Sequence, residues 1–178
     1  MAKRDRFKKR AYLSHFTRTA SGEYAYTGGY YALNGDYKAY GTRVAVFTAV
    51  TAVCTLLAGV LELPGMLNSF YVIIPYILEV AFAGSTVWGA VRYFMNAKPL
   101  REYIYSATSG AFHWRTLLTA IFAGAGMIGE TVFLILSGEK NTALAAAGFY
   151  LLKAAVIVCM LLMRSCAKKA EWTLTKNG

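Results

Sequence analysis

Four stretches of the chain run almost free of polar side chains: residues 44–63, 69–91, 116–137 and 142–163. Each is close to the roughly 20 residues that a helix needs to cross about 30 Å of hydrocarbon. Periodicity does not identify such helices, because a segment packed between lipid and protein is apolar on every side; length does. The pattern predicts an all-α integral membrane protein with four transmembrane helices arranged as two antiparallel hairpins. The hairpins follow from the outer connections, 64–68 and 138–141, which are too short to join anything but neighbouring helices. Span one stops at Glu62-Leu63-Pro64-Gly65, where proline cannot continue a helix and glycine suits its end. No signal peptide is expected ahead of it, so span one directs its own insertion.

The polar segments have their own pattern. Residues 1–42 are expected to form a cytoplasmic unit: a basic leader to about residue 20, then a Tyr- and Gly-rich stretch. Six tyrosines, Tyr24, Tyr26, Tyr30, Tyr31, Tyr37 and Tyr40, are punctuated by Gly28-Gly29 and Asn34-Gly35, pairs suited to tight hairpin turns. This predicts a small β-hairpin-like appendage with strands near 24–27, 30–33 and 37–40, leaning on the cytoplasmic membrane face. The bundle occupies 43–164 and a tail 165–178. The loop 92–115 is expected to hold a short amphipathic helix with Tyr103, Tyr105, Phe112 and Trp114 at the interface, and Trp172 to anchor the tail similarly.

Composition agrees with the pattern: 57% of residues are hydrophobic and 16% charged, where a soluble domain carries about 25% charged. Of the nineteen Lys and Arg, all but Lys140 and Lys153 fall in the N-terminal segment to Arg43, the 92–115 loop or the segment from Arg164 to the end. By the positive-inside rule both termini are cytoplasmic, in a multi-pass protein of the cell membrane. The same asymmetry accounts for the net charge of +10 without nucleic acid, through contact with anionic headgroups. Cys54 and Cys159 lie inside spans as small apolar filler, and Cys166 sits at the cytoplasmic edge; no metal-ligand set or CxxC occurs.

Small residues recur at close helical spacing: Ala81, Ser85 and Gly89 in span two, and Ala120, Gly124, Ala125, Gly126 and Gly129 in span three. Such ladders let helix backbones approach in lipid. A faint repeat lays the segment from Thr48 over that from Thr116, matching Thr48 with Thr116, Thr51 with Thr119, Ala52 with Ala120 and Glu62 with Glu130. YILEVA from Tyr76 then lies over YLLKAA from Tyr150, which sets Glu79 against Lys153. Both halves would run in the same direction about an axis along the membrane normal.

The candidate site is an intramembrane charge cluster of Glu79, Lys153 and Glu130. A charge in hydrocarbon costs several kcal/mol unless paired or hydrated, so such residues default to function with a partner nearby. At 1.5 Å per residue, Glu79 lies roughly 15 Å below the outer boundary, Lys153 roughly 16 Å and Glu130 roughly 10 Å. If spans two and four are neighbours, Glu79 and Lys153 pair, while Glu130 shares Lys153 or stands as the neutral acid. Tyr76 and Tyr150, one turn away, can donate to a carboxylate there. Pro75 removes the hydrogen bond to the Tyr71 carbonyl, permitting a kink and favouring a hydrated pocket above Glu79. These charges admit three roles: fixing which helices touch, coupling a proton or cation to transport, or meeting a charge on another subunit.

Enzyme chemistry is not expected. His15 and His113 lie outside the spans, and no Ser/His/Asp set, HExxH, P-loop or dinucleotide fingerprint is present. No cofactor is implied. The primary expectation is a non-catalytic assembly or accessory subunit, acting as a homo-oligomer or with a larger membrane partner. The alternative is a small oligomeric ion- or proton-coupled transporter using the Glu79/Lys153/Glu130 cluster.

Overall fold

The computed structural model describes residues 16–18, 22–61, 63–138 and 143–175. The basic leader to residue 15, Glu62, Lys140 with the rest of 139–142, and 176–178 lie outside them, as do the Leu67 and Asn68 side chains. Four helices are long and apolar enough to cross a membrane: α1 (Tyr37–Val60), α3 (Phe70–Met95), α5 (Ser109–Ser137) and α6 (Ala143–Lys169). Two short helices, α2 (Pro64–Asn68) and α4 (Glu102–Ala107), lie between them. The strands are β1 (Phe16–Arg18), β2 (Tyr24–Tyr26), β3 (Tyr30–Leu33), β4 (Leu100–Arg101) and β5 (Trp172–Thr175).

The long helices overrun the apolar stretches at their basic ends. Helix α1 begins at Tyr37, because Asp36 caps it by accepting a 2.7 Å hydrogen bond from the Lys38 amide. The strand expected at 37–40 is therefore the first turn of a helix. Asn34-Gly35 is the joint into α1 rather than a hairpin turn, and Gly28-Gly29 links strands of two different sheets. At the other end of α3, Lys98 Nζ donates to the Tyr93 and Asn96 carbonyls at 2.6 and 3.1 Å and lies over the Tyr93 ring. That arrangement satisfies carbonyls left free at a helix terminus. Gly138 closes α5 with φ of 67°, the left-handed conformation that glycine adopts at least cost.

The tyrosine segment does not fold as a meander on its own. β2 pairs antiparallel with β1, which lies inside the stretch expected to be a basic leader. β3 is the middle strand of a second sheet, flanked antiparallel by β4 from the loop and β5 from the tail, with Tyr31 opposite both Leu100 and Leu174. Beneath it an aromatic cluster joins sheet to bundle. Tyr31 stacks on Tyr105 at 4.0 Å, Tyr105 meets Trp172 at 5.2 Å, and Trp172 meets Tyr40 at 5.8 Å. Each such pair contributes about 0.5–1.5 kcal/mol beyond its buried area. Trp172 thus anchors the tail to protein rings. Phe112, expected at the interface, is fully buried in the core with Val44, Ile104 and Val156, whereas Trp114 is exposed.

Around the bundle, α1 packs on α3, α3 on α5, α5 on α6, and α6 back on α1. Spans one and three are diagonal to each other, as are spans two and four. The burial pattern departs from that of a soluble protein: beside an apolar core, Thr48, Thr51, Thr55, Thr86, Thr116 and Thr119 are buried, while Leu56, Val60, Ile77, Ile128 and Leu151 are exposed. Where lipid solvates apolar side chains there is no drive to hide them, and polar groups go inward to find partners. The faint sequence repeat has a structural counterpart. Thr48 and Thr116 are both buried, as are Thr51 and Thr119, and Glu79 and Lys153. The matched helices α1 and α5, and α3 and α6, stand diagonally opposite in the ring. Glu62, matched to Glu130, lies outside the described residues.

The small-residue ladders are used selectively. In span two Ala81 is exposed, and the buried stripe runs instead through Glu79, Ala83, Thr86, Gly89 and Ala90. In span three a Cβ on Gly129 would lie 2.6 Å from the Tyr71 carbonyl oxygen, whereas Gly124 has open space beside it. Gly129→Ala is therefore expected to destabilise the bundle by about 1–3 kcal/mol through overpacking. Gly124→Ala should be neutral or slightly stabilising, since glycine inside a helix costs roughly 0.5–1 kcal/mol relative to alanine. Thermal unfolding of both variants in detergent checks this; equal effects would contradict the packing.

Candidate functional site

Glu79 and Lys153 lie at the bundle centre with no exposed side-chain surface. Lys153 Nζ donates to Glu79 Oε2 at 2.5 Å. The contact runs along the diagonal between α3 and α6, which do not pack extensively on each other. The expectation that pairing needs spans two and four as neighbours is thus corrected: the long lysine side chain reaches across the bundle axis. Thr55 Oγ1 of α1 donates to the other carboxylate oxygen, Oε1, at 3.1 Å. The ammonium also lies 4.6 Å from the centre of the Tyr76 ring and 5.2 Å from that of Phe149. Ring faces carry negative quadrupole density and attract a desolvated cation. Both charges are therefore compensated within one chain, by groups from α1, α3 and α6.

The tyrosines act differently from expectation. Tyr76 presents its ring face to Lys153, and its hydroxyl donates to the Thr55 carbonyl at 3.1 Å rather than to a carboxylate. Gly59 makes room for that hydroxyl, since a Cβ there would fall on it. Tyr150 lies outside the pair; its hydroxyl is 2.7 Å from Thr131 Oγ1 on α5. Thr55 and Phe149 were missed in the sequence. Thr55 continues the spacing of Thr48 and Thr51, a run of hydroxyls on one helix face that points inward in a lipid-facing bundle. Phe149 carries no such signal, because one phenylalanine in an apolar helix is indistinguishable from lipid-facing filler.

Glu130 stands apart from the pair. It is fully buried, and neither carboxylate oxygen has a hydrogen-bond partner among the described residues. The carboxyl group lies against Gly65 at the start of α2, where a Cβ would collide with it, and the Gly65 amide is close enough to act on it electrostatically. Pro75 lies inside α3. The Tyr71 carbonyl that it deprives of a helical donor abuts Gly129, next to Glu130, rather than opening above Glu79. Thr51 Oγ1, one turn from Thr55, is another buried polar atom with no hydrogen-bond partner among the described residues.

Chemically, the Glu79–Lys153 pair resembles a structural clamp more than a reactive centre, since each Glu79 oxygen accepts a hydrogen bond and the ammonium is enclosed by the carboxylate and two ring faces. Among the described residues no group of three or more His, Cys, Asp or Glu side chains is arranged to hold a metal ion. Glu79→Gln or Lys153→Met alone is expected to cost about 3–5 kcal/mol by leaving a buried charge unpaired. The Glu79→Gln/Lys153→Met double variant should recover most of that loss. Unfolding in mixed detergent micelles measures both, and strictly additive losses would mean that the two groups do not pair. No family model, curated protein or solved structure matches the chain, so its own side chains carry the functional reading.

Proposed function

We propose that the protein is a non-catalytic accessory or assembly subunit of a membrane complex, working with copies of itself or with a larger membrane partner. The observation that carries this reading is the closure of the Glu79–Lys153 pair within one chain. The charges most suited to coupling chemistry are committed to holding three helices together. At the basic end, β4 and β5 are the outer strands of their sheet, and outer strands offer main-chain groups to a partner.

The same sheet supports two antiparallel hairpins with both termini on one side of the membrane. Pairing β3 with β4 and β5 requires the segment before α1, the connection after α3 and the tail after α6 to meet. The concentration of Lys and Arg in those three segments makes that side cytoplasmic.

A second reading, a small oligomeric proton- or ion-coupled transporter, draws support from Glu130, a buried carboxyl group without a hydrogen-bond partner among the described residues. Such groups mark ion and proton paths in membrane proteins. Purification from native membranes in mild detergent separates the two readings. A stoichiometric partner protein is expected under the first. A partner-free oligomer that drives proton flux in liposomes, with flux lost in Glu130→Gln, would overturn it in favour of the second.

A further inference from the structure

The face where α3 meets α5 near the basic end carries two cations without an acid. Arg115, half-buried, spends one N–H on the Ser85 carbonyl at 3.2 Å. Its guanidinium occupies the notch above Gly89, where a Cβ would lie 2.6 Å from Nη1. Arg92, one turn beyond Gly89 on α3 and also half-buried, stands at the same seam as Arg115, and its charge acts on it. Among the described residues neither guanidinium forms an ion pair; the one salt bridge there is Glu79–Lys153. Two like charges held together in a partly desolvated place repel each other, and an anion between them removes the repulsion. Each guanidinium has five N–H donors in a fixed fork, the geometry that grips a phosphate through two oxygens. Trp88, four residues before Arg92 on α3, and Trp114, next to Arg115 on α5, are 65% and 60% exposed. Indole rings favour the headgroup level, with their apolar body toward the acyl chains.

We propose that Arg92 and Arg115 form a site for the phosphate of an anionic phospholipid, with the exposed Trp88 and Trp114 of the same two helices at the level of its headgroup. This rests on the reading that the four helices span a bilayer with their basic end at an anionic leaflet. The site differs from general attraction of basic residues to that leaflet. Its two arginines come from different helices, and one of them, Arg115, is seated in a glycine notch and oriented by the Ser85 carbonyl.

The test is tryptophan fluorescence of the full chain reconstituted in phosphatidylcholine vesicles holding a minority of phosphatidylglycerol with brominated acyl chains. Vesicles with the same fraction of brominated phosphatidylcholine serve as reference. The expected result is excess quenching by the anionic lipid. Replacing an arginine by glutamine should reduce the preference about fivefold, with Arg92→Gln/Arg115→Gln removing nearly all of it. Arg92→Lys/Arg115→Lys, which keeps the charge and loses the fork, should retain part, and Arg43→Gln/Lys169→Gln elsewhere on the basic end should retain it all. Equal quenching by the two lipids, or an excess that survives the double glutamine variant, overturns the site. Displacement of the excess by millimolar inorganic phosphate would assign the arginines to a soluble anion and overturn the lipid. A chain that does not insert into vesicles at all overturns the spanning reading, and the site with it.

Discussion

Glu79 and Lys153 reach each other across the diagonal of a ring of four helices, and the rest of the bundle is arranged around that requirement. A carboxylate and an ammonium in a dry interior are tolerable only if they touch and if their remaining bonding capacity is filled. Touching demands that α3 and α6 stand opposite each other at matched depth. Filling demands Thr55 on α1 for the second carboxylate oxygen and the Tyr76 and Phe149 rings for the ammonium. The Tyr76 ring can lie there because its hydroxyl has a carbonyl to bond and Gly59 leaves space for it. One ion pair thereby specifies the relative rotation of three helices, in a solvent where apolar contact between helices specifies little.

A second constraint acts at the basic end. Three segments remote in sequence meet in the β4-β3-β5 sheet, and the rings of Tyr31, Tyr105, Trp172 and Tyr40 bind it to the helices. The sheet closes the end of the bundle from which α1 starts and at which α3 and α6 finish, so the helix ends cannot splay independently. Tyrosine suits this boundary because it presents an apolar ring to neighbours and a hydroxyl to polar groups. The aromatic groups of this segment therefore pack mainly on protein, whereas Trp88 and Trp114 on the bundle flank remain exposed.

The diagonal geometry also gives the faint internal repeat a physical meaning. When two similar hairpins pack about a shared axis, equivalent residues face each other across it. If both carried a glutamate at the central position, two like charges would meet in the interior. Glutamate on one and lysine on the other turn that repulsion into a clamp. Glu130 has no such counterpart among the described residues: it sits off the axis beneath α2, and this sets it apart from the other two intramembrane charges.

Much of the architecture is written in composition and order. Four apolar stretches of spanning length determine four long helices, because the unpaired backbone of any other structure is too costly in hydrocarbon. Buried Glu79, Lys153 and Glu130 stand out for the same reason, as does the polarity of the ends. What the sequence did not contain is who meets whom. Tyr37–Tyr40 has a strand-like composition, yet the Asp36 cap and the continuing helix override it. β4 and β5 are too short to announce themselves, and they form because β3 supplies a partner. Gly124 and Gly129 look alike in a ladder, but only the second abuts a neighbouring backbone. The acid and base can be picked out from residue type and depth, whereas their meeting across the diagonal, the ring faces over Lys153 and the isolation of Glu130 were decided by tertiary structure. Side-chain cost in lipid is a local property that each residue carries with it; partner choice depends on helix rotation, which only the packed bundle sets.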